Sequence, residues 1–295
     1  MDKQKQSYIF AILAIIFWST VATAFKFSLE NFDYIQLLFY STVVAVLILF
    51  VIIIVQKKLS LLFSGTKKQY LYSALLGLLN PFIYYLMLFK AYSILPAQLA
   101  QPLNYTWPIM IVILSIPLLK QKLSAKGLMA IIISFTGVIF ISMKGSFFNF
   151  KDANVLGILL AVGTSVIWAL FFIFNLKDKR DELVKIFLSF LFGLIFLLPV
   201  ILLRSDIRIN FDYKFLSIIY VGIFEMGITF VLWLKAMKLT KSNDKISNLV
   251  FISPFLSLIF IHYFLHEDIY NTTIIGLVLI VAGIIVQKVK IFDKR

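Results

Sequence analysis

Apolar runs of roughly 20 residues, separated by short charged clusters, recur along this whole 295-residue chain, and that is the length a helix needs to cross about 30 Å of hydrocarbon. Taken in order, the runs fall near 7–29, 34–56, 72–94, 97–118, 124–143, 155–176, 183–203, 214–237, 245–264 and 271–288. They predict an all-α polytopic membrane protein with ten transmembrane helices. Composition agrees, since 61% of the residues are hydrophobic, 14% are charged and the mean hydropathy is +0.98, more apolar surface than a soluble core needs. The first run has features of a secretory signal, with Lys3 and Lys5 before it and Ala22-Thr23-Ala24 as a small-residue site. It is read as a retained span, because the run continues past Ala24 and Trp18 has a counterpart in the second half.

The second constraint is an internal repeat. The stretch from Lys90 to Lys122 returns in degraded form from Lys235 to Asp268: Lys90-Ala91 matches Lys235-Ala236 at an offset of 145, whereas Pro108 matches Pro254, Gln121 matches Glu267 and Gly137 matches Gly283 at 146. Ala11 and Trp18 match Ala161 and Trp168 at 150, so the likeness extends over both halves. Residues 1–148 and 149–295 are accordingly read as two five-helix repeats. An odd number of helices per repeat forces the second copy to enter the membrane upside down, and matched loops should then change sign. They do: Lys120, Lys122 and Lys126 follow the fourth span, whereas His266-Glu267-Asp268 follows the ninth.

Orientation follows from the basic residues. With the N-terminus inside, 20 of the 28 Lys and Arg fall in cytoplasmic segments, while the outer loops keep Lys144, Lys151, Arg204, Arg208 and Lys214. Both termini are expected in the cytoplasm and the protein in the cell (inner) membrane, multi-pass. The same placement accounts for the net charge of +14 without nucleic acid. With no cysteine, a disulfide framework, a thiolate nucleophile and a thiolate metal site are all excluded.

Polar groups within spans point to where a solute sits, because an ionisable side chain at a helix centre costs about 2.5–3.5 kcal/mol on insertion scales. Glu225 lies near the middle of the eighth span, too deep to snorkel, and its counterpart at offset 145 is Asn80, followed by Pro81. Tyr84 lies one turn beyond Asn80 on the same face. The fourth span carries Pro102, Pro108 and Pro117 among Gln98, Gln101, Asn104, Tyr105 and Trp107, a pattern expected of a bent helix lining a cavity. Pro254 gives the ninth span one break, flanked by Ser247, Asn248, Ser253 and Ser257. Trp18 and Trp168 are central in their spans, where an indole either packs in the core or stacks on a solute. The predicted substrate-binding set is Trp18, Asn80, Tyr84, Asn104, Tyr105, Trp168 and Glu225, bordering one central space, with Glu225 as the candidate proton-coupling group. Lys26, Lys90 and Lys235 lie near span ends and are read as snorkelling. His262 is read as interfacial.

The Phe17-Trp18-Ser19-Thr20 of the first helix, the Asn104-Tyr105-Thr106-Trp107-Pro108 of the fourth, and the Glu267, Gly276, Gly283 spacing at the end resemble the drug/metabolite transporter superfamily in its EamA-type ten-helix branch. The first and fourth helices look most like bacterial exporters of aromatic amino acids. Gln121 stands where the family's first repeat usually has an acid. The resemblance implies a secondary transporter working by alternating access on a small-molecule substrate, within the lipid bilayer, as a monomer or weak homodimer. The residues themselves hold no H-E-x-x-H, no paired acids within a span, no phosphate-cradling loop and no filter loop, which argues against an enzyme and a channel. The expectation is an exporter of amino acids or related amphipathic solutes, with no cofactor and no metal; the alternatives are an importer or exchanger of a nucleotide-like or sugar-linked solute, and a uniporter.

Overall fold

The computed structural model describes residues 2–120, 125–145, 154–207, 212–240, 246 and 249–288. Among them every regular element is helical. The helices are α1 (Lys3–Leu29), α2 (Tyr34–Val55), α3 (Lys67–Gly77), α4 (Tyr84–Ile94), α5 (Ala97–Asn104), α6 (Trp107–Leu119), α7 (Ala125–Ser142), α8 (Val155–Lys177), α9 (Glu182–Arg204), α10 (Phe215–Tyr220), α11 (Ile228–Leu239), α12 (Ser253–Leu265) and α13 (Asn271–Lys288). Seven helical segments are long and apolar enough to cross a membrane, α3–α4, α5–α6 and α10–α11 each counting as one. Three apolar helices, over Gly127–Ser142, Val250–Leu265 and Asn271–Val286, are shorter. Gln121, Ser247 and Asn248 lie outside the described residues.

Local sequence sets where the helices begin. Asp33 with Gln36, and Thr66 with Gln69, form capping boxes at the starts of α2 and α3, and Asn154 accepts from the Gly157 N–H to start α8. Asp181 caps α9 by accepting from the N–H groups of Leu183 and Val184, and it also receives Lys58 Nζ at 2.7 Å, clasping the end of α2 to the start of α9. Burial pushes the Asp181 carboxyl up, but the hydrogen bonds from Lys58 and Val184 outweigh it and hold the group below its ordinary value. A carboxyl lowered on folding contributes stability that is present above its unfolded value and lost as pH falls through the folded one. Acid titration should therefore lower the unfolding temperature of the wild-type chain more than that of Asp181→Asn, measured side by side in detergent.

Three spans are broken, the fourth as its prolines led one to expect and the third and eighth without such an expectation. The third leaves the α-helix between α3 and α4 for a π-type turn over Leu78–Ile83, where Pro81 supplies no N–H and Asn80 takes extended angles (φ −143°, ψ 118°). The eighth does the same over Val221–Glu225, ending at Gly227 (φ −110°, ψ −94°). The fourth breaks at Tyr105 and Thr106, with Pro108 in the first turn of α6, just as Pro254 stands in the first turn of α12. Those two helices also end alike, at Lys120 (φ 54°) and His266 (φ 53°), a pair 146 residues apart.

The two repeats meet most closely where α7 crosses α13. A Cβ on Gly137 would lie 2.5 Å from the Gly276 carbonyl oxygen, and one on Gly283 would lie 2.7 Å from that of Ala130. Since 130 and 276, like 137 and 283, are 146 apart, one contact is the symmetry mate of the other, and the order of the pairs makes the helices antiparallel. Small residues allow this approach, the usual device for joining helices in lipid. Gly137→Leu should force the backbones apart at a cost of about 1–3 kcal/mol and visibly lower the unfolding temperature. Gly163→Ala is the control, because its added methyl meets only the mobile end of Met87.

Candidate functional site

A cavity of about 90 Å³ lies between the halves, lined by Trp18, Val21 and Phe25 from α1, Tyr84, Leu88 and Tyr92 from α4, and Gln101, Asn104, Tyr105 and Trp107 around the α5–α6 break; Trp168, Glu225, Phe230 and Val250 close it. Six of the seven residues expected to border one space do so. Asn80 does not. It is 1% exposed, neither polar atom of its amide has a partner, and its extended backbone takes it off the helical face that Tyr84 presents.

The polar groups are tightly held. Tyr84 Oη donates to Asn104 Oδ1 at 3.3 Å, and Asn104 Nδ2 donates to Thr164 Oγ1 at 2.8 Å, tying α4 through α5 to α8. Gln101 Oε1 accepts from Ser257 on α12. Tyr85 Oη donates to Glu225 Oε1 at 3.0 Å, while Glu225 Oε2 is buried without a hydrogen-bond partner. A buried carboxyl oxygen left so is costly unless a proton or a ligand meets it. The π-type turn carries this group: the Val221–Glu225 segment packs against α1 and α2, and the Glu225 side chain reaches Tyr85 on α4.

Aromatic rings run as neighbours around the space. Tyr85 meets Tyr84 at 4.7 Å between centroids, Tyr84 meets Trp168 at 5.0 Å, Trp168 meets Phe230 at 6.0 Å, Phe230 meets Trp18 at 6.2 Å and Trp18 meets Trp233 at 5.3 Å. Tyr85, Phe230 and Trp233 escape a reading of the sequence, since 31 Phe leave one more without contrast. The signal for Tyr85 was its place beside Tyr84, opposite a buried acid.

At one end of the molecule hydrogen bonds tie the two halves together. Glu267 accepts from the backbone N–H groups of Ala97 (2.8 Å) and Gln98 (3.1 Å), capping α5 from the loop before α13, and Gln98 answers by donating to the Asp268 carbonyl at 2.8 Å and accepting from Tyr270 N at 2.9 Å. Lys26 Nζ donates to the carbonyls of Tyr92 (3.0 Å) and Leu95 (2.9 Å), so this lysine ties α1 to the end of α4 instead of snorkelling. Lys90 lies over the Tyr34 ring at 4.9 Å and Lys235 over Phe10 at 5.6 Å. His262 is exposed, with Nδ1 3.0 Å from the Glu267 carbonyl. Among the described residues no cluster of His, Cys, Asp and Glu suits a metal.

This architecture has known relatives. The chain aligns with an uncharacterized transporter of Clostridium kluyveri at 28% identity, covering 96% of this chain and 93% of that one. An uncharacterized transporter of Archaeoglobus fulgidus aligns at 23% over 97% and 98%, and the uncharacterized transporter YvbV of Bacillus subtilis at 28% over 82% and 79%. A solved crystal structure shares the fold at TM-score 0.68 and 20% identity, with 96% of each chain covered. The EamA-like transporter family matches twice, over residues 5–143 and again over 155–287, one match to each half. On this double match over nearly its whole length, the chain belongs to the EamA-like transporter family of the drug/metabolite transporter superfamily.

Proposed function

We propose that this membrane transporter is a secondary transporter of the cell (inner) membrane that exports amino acids or related amphipathic solutes by alternating access, exchanging them for protons at Glu225. In this reading ten helices cross the membrane as two inverted repeats, 1–148 and 149–295, with both termini cytoplasmic. The carrying observation is the cavity itself. It lies where the two halves meet, it is built on broken helices, and the one acid among its described residues, Glu225, has an oxygen without a protein partner. Broken helices at a repeat interface are where transporters hold their solutes. At about 90 Å³ the space is well below the roughly 300–1,000 Å³ of ligand pockets, as suits a closed intermediate between two open forms.

The geometry favours this over the importer of nucleotide-like solutes, because among the described residues no Lys, Arg or His lines the cavity and a phosphate would meet a carboxylate there. Membership of a transporter family points away from catalysis as well. The test is export from proteoliposomes or inverted vesicles against a panel of amino acids and amphipathic amines. Uptake into inverted vesicles above the empty-vesicle level supports the reading. Flux confined to nucleotide-like solutes would replace it with the importer, and no flux for any solute would end it.

A further inference from the structure

Resting on that transporter reading, we infer that the cavity selects solutes with a net positive charge, an ammonium group on an apolar body, over zwitterions and neutral molecules. Three observations lead there. First, charge: among the described residues the lining has one acid and no cationic side chain, so a zwitterion's carboxylate would have no ionic partner there and would sit near Glu225. Second, donors: the hydroxyls of Tyr84 and Tyr85 and the amide of Asn104 already bond within the protein, so the Tyr84 and Tyr85 hydroxyl protons are not left for an anion. Third, the walls: Tyr84, Trp168, Phe230 and Trp18 follow one another at 5.0–6.2 Å, starting from the tyrosine pair whose second member holds Glu225. Aromatic faces are the negative part of the ring, and a cage of them attracts an alkylammonium without asking it for hydrogen bonds. The free Glu225 oxygen then supplies the counter-charge.

Protons compete for the same oxygen. The groups facing Glu225 are the phenols of Tyr84, Tyr85, Tyr92, Tyr105 and Tyr220, from α4, the α5–α6 break and α10, all uncharged at neutral pH, so among the described residues no fixed cation holds the carboxylate in place of the solute.

The test compares three probes of one shape on the full chain in nanodiscs, followed by intrinsic tryptophan fluorescence: benzyltrimethylammonium, its neutral isostere neopentylbenzene, and phenylalanine. The cation should bind saturably at least about tenfold tighter than either of the others. Glu225→Gln should weaken the cation about tenfold and leave neopentylbenzene unchanged, with the same elution volume and helical content as the wild-type chain. Equal binding of neopentylbenzene, tighter binding of phenylalanine, or no saturable binding of the cation would each overturn the inference. The wild-type comparison decides it alone if Glu225→Gln does not fold. These results decide between amphipathic amines and amino acids within the transporter reading, which itself fails only in the flux assay.

Discussion

Glu225→Gln abolishes uphill accumulation in proteoliposomes given a pH gradient, and it leaves counterflow intact at saturating solute. A one-for-one exchange of solute for proton accumulates solute about tenfold per pH unit, each unit being worth about 1.4 kcal/mol. The wild-type chain should therefore show that concentration ratio, and the variant should fall to the level of the imposed solute gradient. Glutamine keeps the size of the side chain and an oxygen for Tyr85 Oη, so the cavity and the rocking of the halves survive while the exchangeable proton is gone. Undiminished accumulation by Glu225→Gln would move the coupling site elsewhere, and accumulation by neither chain would leave a uniporter.

The second large effect is expected at the end where hydrogen bonds tie the halves together. Glu267→Ala removes both acceptors that cap α5, leaving the N–H groups of Ala97 and Gln98 unpaired at the positive end of a helix. Hydrogen bonds to a charged acceptor are worth about 1.5–3 kcal/mol, less where water reaches them, so the closed form should lose roughly tenfold in population or more. With both termini cytoplasmic, as proposed, and Leu88→Cys as the only thiol in a chain without native cysteine, a membrane-impermeant reagent added outside should label about tenfold faster in the Glu267→Ala background. Lys26→Met, which cuts the ties to Tyr92 and Leu95, should act in the same direction. Equal labelling rates would show that this end is held by other contacts.

Much of this arrangement was legible in the residues because hydrocarbon is a plain background. A carboxylate, an indole or a proline in mid-span stands out there, so the central Trp18, Trp168 and Glu225, together with Asn104 and Tyr105 of the proline-rich fourth span, identified part of the cavity wall. The repeat offset of 146 also relates the ends of α6 and α12, at Lys120 and His266, which the structure shows to be alike. It failed at Asn80, where the match to Glu225 is correct in sequence yet the extended backbone beside Pro81 sends the side chain to a different place. The π-type turns were not legible, since a turn of five residues depends on packing against α2 and α9 and not on local propensity. Tyr85 was missed for that reason: which of two adjacent tyrosines reaches the acid is set by the phase of the helix after the turn. Lys26 was misjudged because a carbonyl partner supplied by another helix has no sequence signature.

The central claim is that one cavity between the halves opens in turn to each side of the membrane. It is tested most directly by the rate at which the impermeant thiol reagent labels Leu88→Cys in right-side-out and in inverted vesicles, with and without a transported solute. The account predicts labelling from both sides, slowed on both by solute. Labelling from one side alone, whatever the direction of the gradient, would contradict it.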